Sequence, residues 1–113
     1  MQVNHTQNGS VTVVSVAGSL DAMTSPQLTE ILSQQLAAGN AQLVADFAAL
    51  EYASSAGLRV LLSTTKQARQ RGGDVRLAGA QGNVRKVFEL SGFTSILKSY
   101  PDVQSAVASF QNS

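Results

Sequence analysis

Apolar residues fall into two kinds of repeat along this chain, one of period two and one of period three to four, alternating with short turns. Gln2 to Thr6 and Ser10 to Ala17 read as strands. Between them Asn8-Gly9 accepts the positive φ of a tight hairpin, so the two are expected to be antiparallel. Ser25-Pro26 offers an N-cap and then a proline at the first helical position, where its missing N–H is not needed. Leu28, Ile31, Leu32 and Leu36 follow at helical spacing, and Gly39-Asn40 supplies a left-handed terminator. The unbroken Leu43-Val44-Ala45, closing on Asp46-Phe47, has the character of a strand buried on both faces.

After Leu50-Glu51-Tyr52-Ala53 a second helix is expected to start at Ser54-Ser55 and run to Arg71. Leu58, Leu61, Leu62 and Thr65 line one face, and Gly72-Gly73 stops it. Asp74 to Ala78 alternates polar and apolar residues with Val75 and Leu77 facing one way, which predicts a strand. Gly79-Ala80-Gln81-Gly82 turns the chain into a helix carrying Val84, Val87 and Phe88 and closing at Gly92. A short strand around Ile96-Leu97-Lys98 and a last helix from about Pro101, with Val103, Ala106, Val107 and Phe110 as its stripe, complete the order ββαβαβαβα. Each strand–helix–strand unit should cross over right-handed and lay its helix on the sheet. The class predicted is α/β: a mostly parallel mixed sheet with an N-terminal antiparallel hairpin and helices packed on it.

Length and composition narrow the picture. A chain of 113 residues, 43% apolar and 13% charged, is expected to be one domain, residues 1–113, with a packed core. It contains no cysteine, which fits a reducing compartment, and cytoplasm is the expected location. Met1 to Asn8 lacks the basic and apolar segments of an export signal, and no run approaches the ~20 apolar residues that cross a bilayer, so no membrane insertion is expected. The net charge is +1, and the cations between Arg59 and Lys86 are spread over several elements. No nucleic-acid partner is expected, because binding a phosphate backbone needs a concentrated basic footprint.

Catalytic constellations are missing. The one histidine, His5, sits on a predicted edge strand far from any serine and carboxylate that could complete a relay. Its ordinary reading is an exposed strand residue. The carboxylates contain neither close pairs nor metal-ligand spacings, so no metal or cofactor is expected. Gly79-x-x-Gly82 sits where a phosphate-cradling loop would, but it matches neither GxGxxG nor GxxxxGK[ST] and reads as a plain turn. The chain is therefore not expected to be an enzyme.

One local pattern asks for more. Two serines at a helix start are ordinarily caps for the free N–H groups of the first turn. Arg59, however, places a cation about one turn in, where the helix dipole disfavours it.

Several stretches resemble the STAS domains, and in particular the bacterial anti-sigma factor antagonists. They are Gly18-Ser19-Leu20-Asp21, Leu43-Val44-Ala45-Asp46, Tyr52-Ala53-Ser54-Ser55-Ala56-Gly57-Leu58, and the late block from Val84 to Phe93. Each is weak alone; their order along nearly the whole chain is specific. The resemblance implies a STAS fold and places the phosphoacceptor of the family's motif at Ser55, two residues before Gly57. Here Ser54 stands where the common motif has an aspartate. It also implies partner switching, in which the unmodified protein binds an anti-sigma factor that is a serine kinase and so frees a sigma factor. Phosphorylation releases the kinase, and a PP2C-type phosphatase resets the switch. Asp21, Ser54, Ser55, Gly57 and Arg59 are the expected partner-binding residues. Asp21 is weighed both as a group orienting the kinase or its nucleotide and as a turn residue capping Met23 or Thr24. The alternative is a scaffold subunit of a lipid-transport or stress-sensing complex, with Ser55 only a cap.

Overall fold

The computed structural model describes residues 1–111; the expected end of the domain at residue 113 lies outside them. Strands β1 (Gln2–Asn8) and β2 (Val11–Leu20) form the antiparallel hairpin. Gly9, with φ of +63°, takes the first loop position, and Asn8 pairs with Val11. Helix α1 (Ser25–Ala37) leads to β3 (Gln42–Asp46), which is followed after a three-residue turn by β4 (Leu50–Ala53). Then come α2 (Ser55–Gln70), β5 (Asp74–Ala78), α3 (Gly82–Leu90), a 3-10 turn at Phe93–Ser95, β6 (Lys98–Tyr100) and α4 (Val103–Gln111). The sheet has six strands in the order β1-β2-β3-β5-β6, parallel after the first pair, with β4 pairing β2 in parallel.

Both faces of the sheet are covered, as parallel strands require. Val14, Val16 and Leu20 of β2, Leu43 and Ala45 of β3, and Val75 and Leu77 of β5 belong to the larger core, with Leu28, Leu32 and Leu36 of α1, Leu58 and Leu61 of α2, and Val84 and Phe88 of α3. Val11, Val13, Val44 and Ala78 point the other way and pack with Ala106, Val107 and Phe110 of α4. Each fully buried leucine in these layers contributes about 1.5–3 kcal/mol. No helix among the described residues is long and apolar enough to cross a membrane.

Three expectations need correction. Leu50–Ala53 is a strand, not a lead-in to the helix: Leu50 and Ala53 are buried while Glu51 and Tyr52 are exposed, a pattern too short to show as a period. The last strand is Lys98–Tyr100, because Phe93–Ser95 coils first and Ile96 caps that turn. Finally, Ser25 is not the cap of α1. It is the first helical residue, and Thr24 stands at the cap position without a side-chain capping bond, its hydroxyl being engaged elsewhere.

Strand β5 is buried along its whole length, including Asp74 and Arg76. The charged pair survives there because its groups are partnered, as buried ions must be. Asp74 accepts from the Arg69 Nε at 3.0 Å, the Arg76 Nε at 3.3 Å and the Val75 N–H at 2.9 Å. Arg76 also donates to the Ser109 hydroxyl at 2.7 Å, and its guanidinium lies 4.0 Å from the centre of the Phe110 ring. This cluster ties α2, β5 and α4 together at the end of α2 remote from the two serines.

Candidate functional site

Strands β2 and β4 run in the same direction, and Leu20 pairs with Ala53. The chain therefore leaves both strands at one edge, and the residues that follow, Asp21 and Ser54, emerge side by side. Open α/β sheets gather function at this place, beyond the carboxyl ends of the strands. The register between β2 and β4 steps past Glu51, where Gly18 pairs with Leu50 and Ser19 with Tyr52. That step brings the two strand ends into line.

From β4 the chain enters α2 through Ser54, which is extended (φ −93°, ψ 160°) and acts as N-cap. Its hydroxyl accepts the Gly57 N–H at 3.1 Å, and its own N–H donates to the Leu20 carbonyl at 2.9 Å. Ser54 is thus committed on both sides. Ser55, the first helical residue, is exposed, and among the described residues its hydroxyl bonds to nothing. Gly57 is buried and packs so closely on the end of β2 that a side chain there would strike the Leu20 carbonyl and the Asp21 amide. Its lack of a β-carbon sets how near the first turn of α2 comes to the chain leaving β2.

Across that contact lies a tight turn. The Asp21 carboxylate accepts the Met23 N–H at 2.9 Å and the Thr24 N–H at 3.0 Å through one oxygen. Thr24 answers by accepting the Asp21 N–H at 2.9 Å and donating to the Ser19 carbonyl at 2.9 Å. These bonds, that to the Thr24 N–H foremost and then that to the Met23 N–H, hold the Asp21 carboxyl below its ordinary range by favouring the charged form. Of the two readings of Asp21, the geometry displays the cap of Met23 and Thr24. Arg59 lies on the exposed side of α2, and among the described residues it makes no ion pair or hydrogen bond.

The structure thus brings together Asp21, Ser54, Ser55 and Gly57 at one edge, with Arg59 one turn further along α2. His5 is exposed on β1, where it pairs with Val14 in the middle of β2 rather than with the end that leads to Asp21, and no group of histidine, aspartate and glutamate among the described residues could hold a metal ion. Met23 was missed by sequence reasoning. Its signal was an apolar residue inside a turn, ahead of the helical stripe that begins at Leu28, and its side chain is 91% exposed.

The fold and this edge define a small α/β domain with an exposed serine at a helix start, and comparison with known proteins supplies its relatives. The STAS domain family matches residues 2–106. The BtrV protein of Bordetella bronchiseptica, whose name assigns it to the anti-sigma factor antagonists, is 37% identical over 88% of this chain and 85% of its own. The anti-sigma-B factor antagonist of Listeria monocytogenes is 31% identical over 74% of this chain and 73% of its own. Among solved structures, that of an anti-sigma factor antagonist from Mycobacterium paratuberculosis superposes with a TM-score of 0.87 at 26% identity, covering 96% of this chain and 92% of that one. The chain belongs to the STAS family, among the anti-sigma factor antagonists, which are regulatory binding proteins rather than enzymes.

Proposed function

We propose that this protein is an anti-sigma factor antagonist that works by partner switching at the edge formed by Asp21, Ser54, Ser55, Gly57 and Arg59. The unmodified form binds an anti-sigma factor that is also a serine kinase and thereby frees a sigma factor. The Ser55 hydroxyl oxygen then attacks the terminal phosphorus of the kinase's ATP. An oxygen–phosphorus bond forms, the bond to ADP breaks, and the hydroxyl proton passes to a base on the kinase. A PP2C-type phosphatase returns the serine by spending a water and releasing inorganic phosphate.

One observation carries the reading: of two adjacent serines, Ser54 is locked into the cap by the Gly57 N–H, while Ser55 is exposed and unbonded among the described residues. A kinase meets one available nucleophile. The product suits the place, since a phosphate brings about −1.5 to −2 charges to a helix start whose N–H groups and dipole favour an anion. Arg59, one turn on, is free to pair with that phosphate or, before modification, with a carboxylate of the kinase. Phosphorylation would then withdraw Arg59 from the partner and repel the partner's carboxylate.

The test is calorimetry and phosphate transfer with the cognate kinase. Ser55→Ala is expected to bind constitutively and take no phosphate, Ser55→Asp to bind at least about tenfold more weakly, and Ser54→Ala to remain a substrate. Normal phosphorylation of Ser55→Ala, or equal affinities of Ser55→Ala and Ser55→Asp, would refute the mechanism and favour a fixed scaffold.

A further inference from the structure

Of the large apolar side chains left in solvent, Met23 is the most exposed, at 91%. Lone exposed apolar residues are common and need no explanation. Met23 differs because the backbone that carries it is pinned. Its N–H and that of Thr24 are held by one Asp21 oxygen, the Thr24 hydroxyl is tied to the Ser19 carbonyl and the Asp21 N–H, and the Ser25 N–H donates to the Asp21 carbonyl at 2.8 Å. A turn whose polar groups are so fully engaged holds an unengaged thioether out to water. The same turn begins at the Leu20-Asp21 backbone against which Gly57 packs, so the turn carrying Met23 lies against the first turn of α2, which Ser55 opens.

We propose that Met23 is an apolar anchor through which the anti-sigma factor docks, and that Asp21 is the positioning residue that presents it. The proposal rests on the partner-switching reading and adds the contact that provides affinity before modification. A few buried, pre-ordered apolar side chains dominate most protein interfaces, and a side chain on a rigid turn loses little freedom on binding. The partner surface that fits is an apolar socket beside a carboxylate, the socket for Met23 and the carboxylate for Arg59. A phosphate on Ser55 then acts at the rim of the same contact: seating the anchor would strip water from a doubly charged group. Release follows without any change of fold.

The chain holds two methionines, Met1 and Met23, so each reports on the other. With ¹³C-methyl-methionine protein and the unmodified anti-sigma factor kinase of its native cell, the Met23 methyl signal is expected to shift on binding and that of Met1 to stay. Met23→Ala should weaken the complex at least about tenfold, Met23→Leu less than about threefold, and neither should change the unfolding midpoint. Asp21→Ala should weaken the complex comparably in the parent but less than about twofold further in the Met23→Ala background, and Asp21→Asn, whose amide oxygen accepts the same bonds, should restore binding. An unmoved Met23 methyl with full affinity of Met23→Ala overturns the anchor, while the serine switch stands if Ser55→Asp still weakens the complex. Additive losses from Asp21→Ala and Met23→Ala overturn the positioning role. Failure of the parent protein to bind any such kinase overturns the partner-switching reading and the anchor together.

Discussion

A β-carbon built on Gly57 falls 2.7 Å from the carbonyl oxygen of Leu20 and 3.0 Å from the Asp21 amide nitrogen, so these two backbones meet only because residue 57 has no side chain. In a helix interior alanine is ordinarily better than glycine by about 1 kcal/mol. Here the clash should win. Gly57→Ala is expected to destabilise the protein by roughly 1–3 kcal/mol, as overpacking does, and to move the Met23 and Thr24 amide resonances. A urea midpoint above that of the parent would show that the approach is not tight.

The adjacent serines should separate cleanly in stability. Ser54→Ala removes the acceptor of the Gly57 N–H and is expected to cost about 0.5–2 kcal/mol. Ser55→Ala removes an exposed hydroxyl without a partner among the described residues and should stay within about 0.5 kcal/mol. Urea denaturation of both variants measures the difference, and a reversed order would reassign the cap.

Acid should loosen the Asp21 turn at low pH only. The folded-state carboxyl is held below its ordinary value by the Thr24 and Met23 N–H groups. A carboxyl lowered on folding adds stability that is complete above its unfolded value, about 3.9, and is lost as pH falls through the folded value. The Met23 and Thr24 amide shifts, followed by NMR, should therefore be flat above about pH 5 and move together below pH ~4. In Asp21→Asn that movement should vanish.

At the far end of α2 the Asp74 cluster should be strongly asymmetric. Arg76 is nearly buried, with a side chain 10% exposed, and Arg76→Ala strips Asp74 of a buried partner and uncovers Phe110. A loss of about 3 kcal/mol is expected, with faster amide exchange in α4. The Arg69 side chain is 47% exposed, so Arg69→Ala should cost only about 0–1 kcal/mol through its ion pair. Equal losses in urea melts would contradict this division.

Much of the architecture was legible in the chain because long elements repeat their pattern. The stripe of Leu28, Leu32 and Leu36, the run Leu43-Val44-Ala45 and the glycines after α1, α2 and α3 state period and boundary locally. The alternation of Asp74 to Ala78 was also readable, but it hid a difference. Its polar side reads as solvent-facing, whereas α4 covers it and Arg76 is accommodated by Asp74, Ser109 and Phe110. Of these, Ser109 lies 33 residues on and Phe110 next to it, beyond any local pattern.

By itself the sequence determined the class of fold, the motif Ser54-Ser55-Ala56-Gly57 and its place at a helix start, since helix periods and caps are properties of neighbours along the chain. It did not determine that Leu50–Ala53 is a strand, because four residues with buried ends carry no period and take their meaning from β2. Tertiary structure alone decided the pairing of Leu20 with Ala53, and with it the meeting of Asp21 and Ser54 across more than thirty residues of chain. It also decided which of two like serines is spent as a cap and which is free, and that Met23 stands on a pinned turn at the same edge. Such relations depend on strand register and close backbone approach, which are settled only when the sheet is assembled.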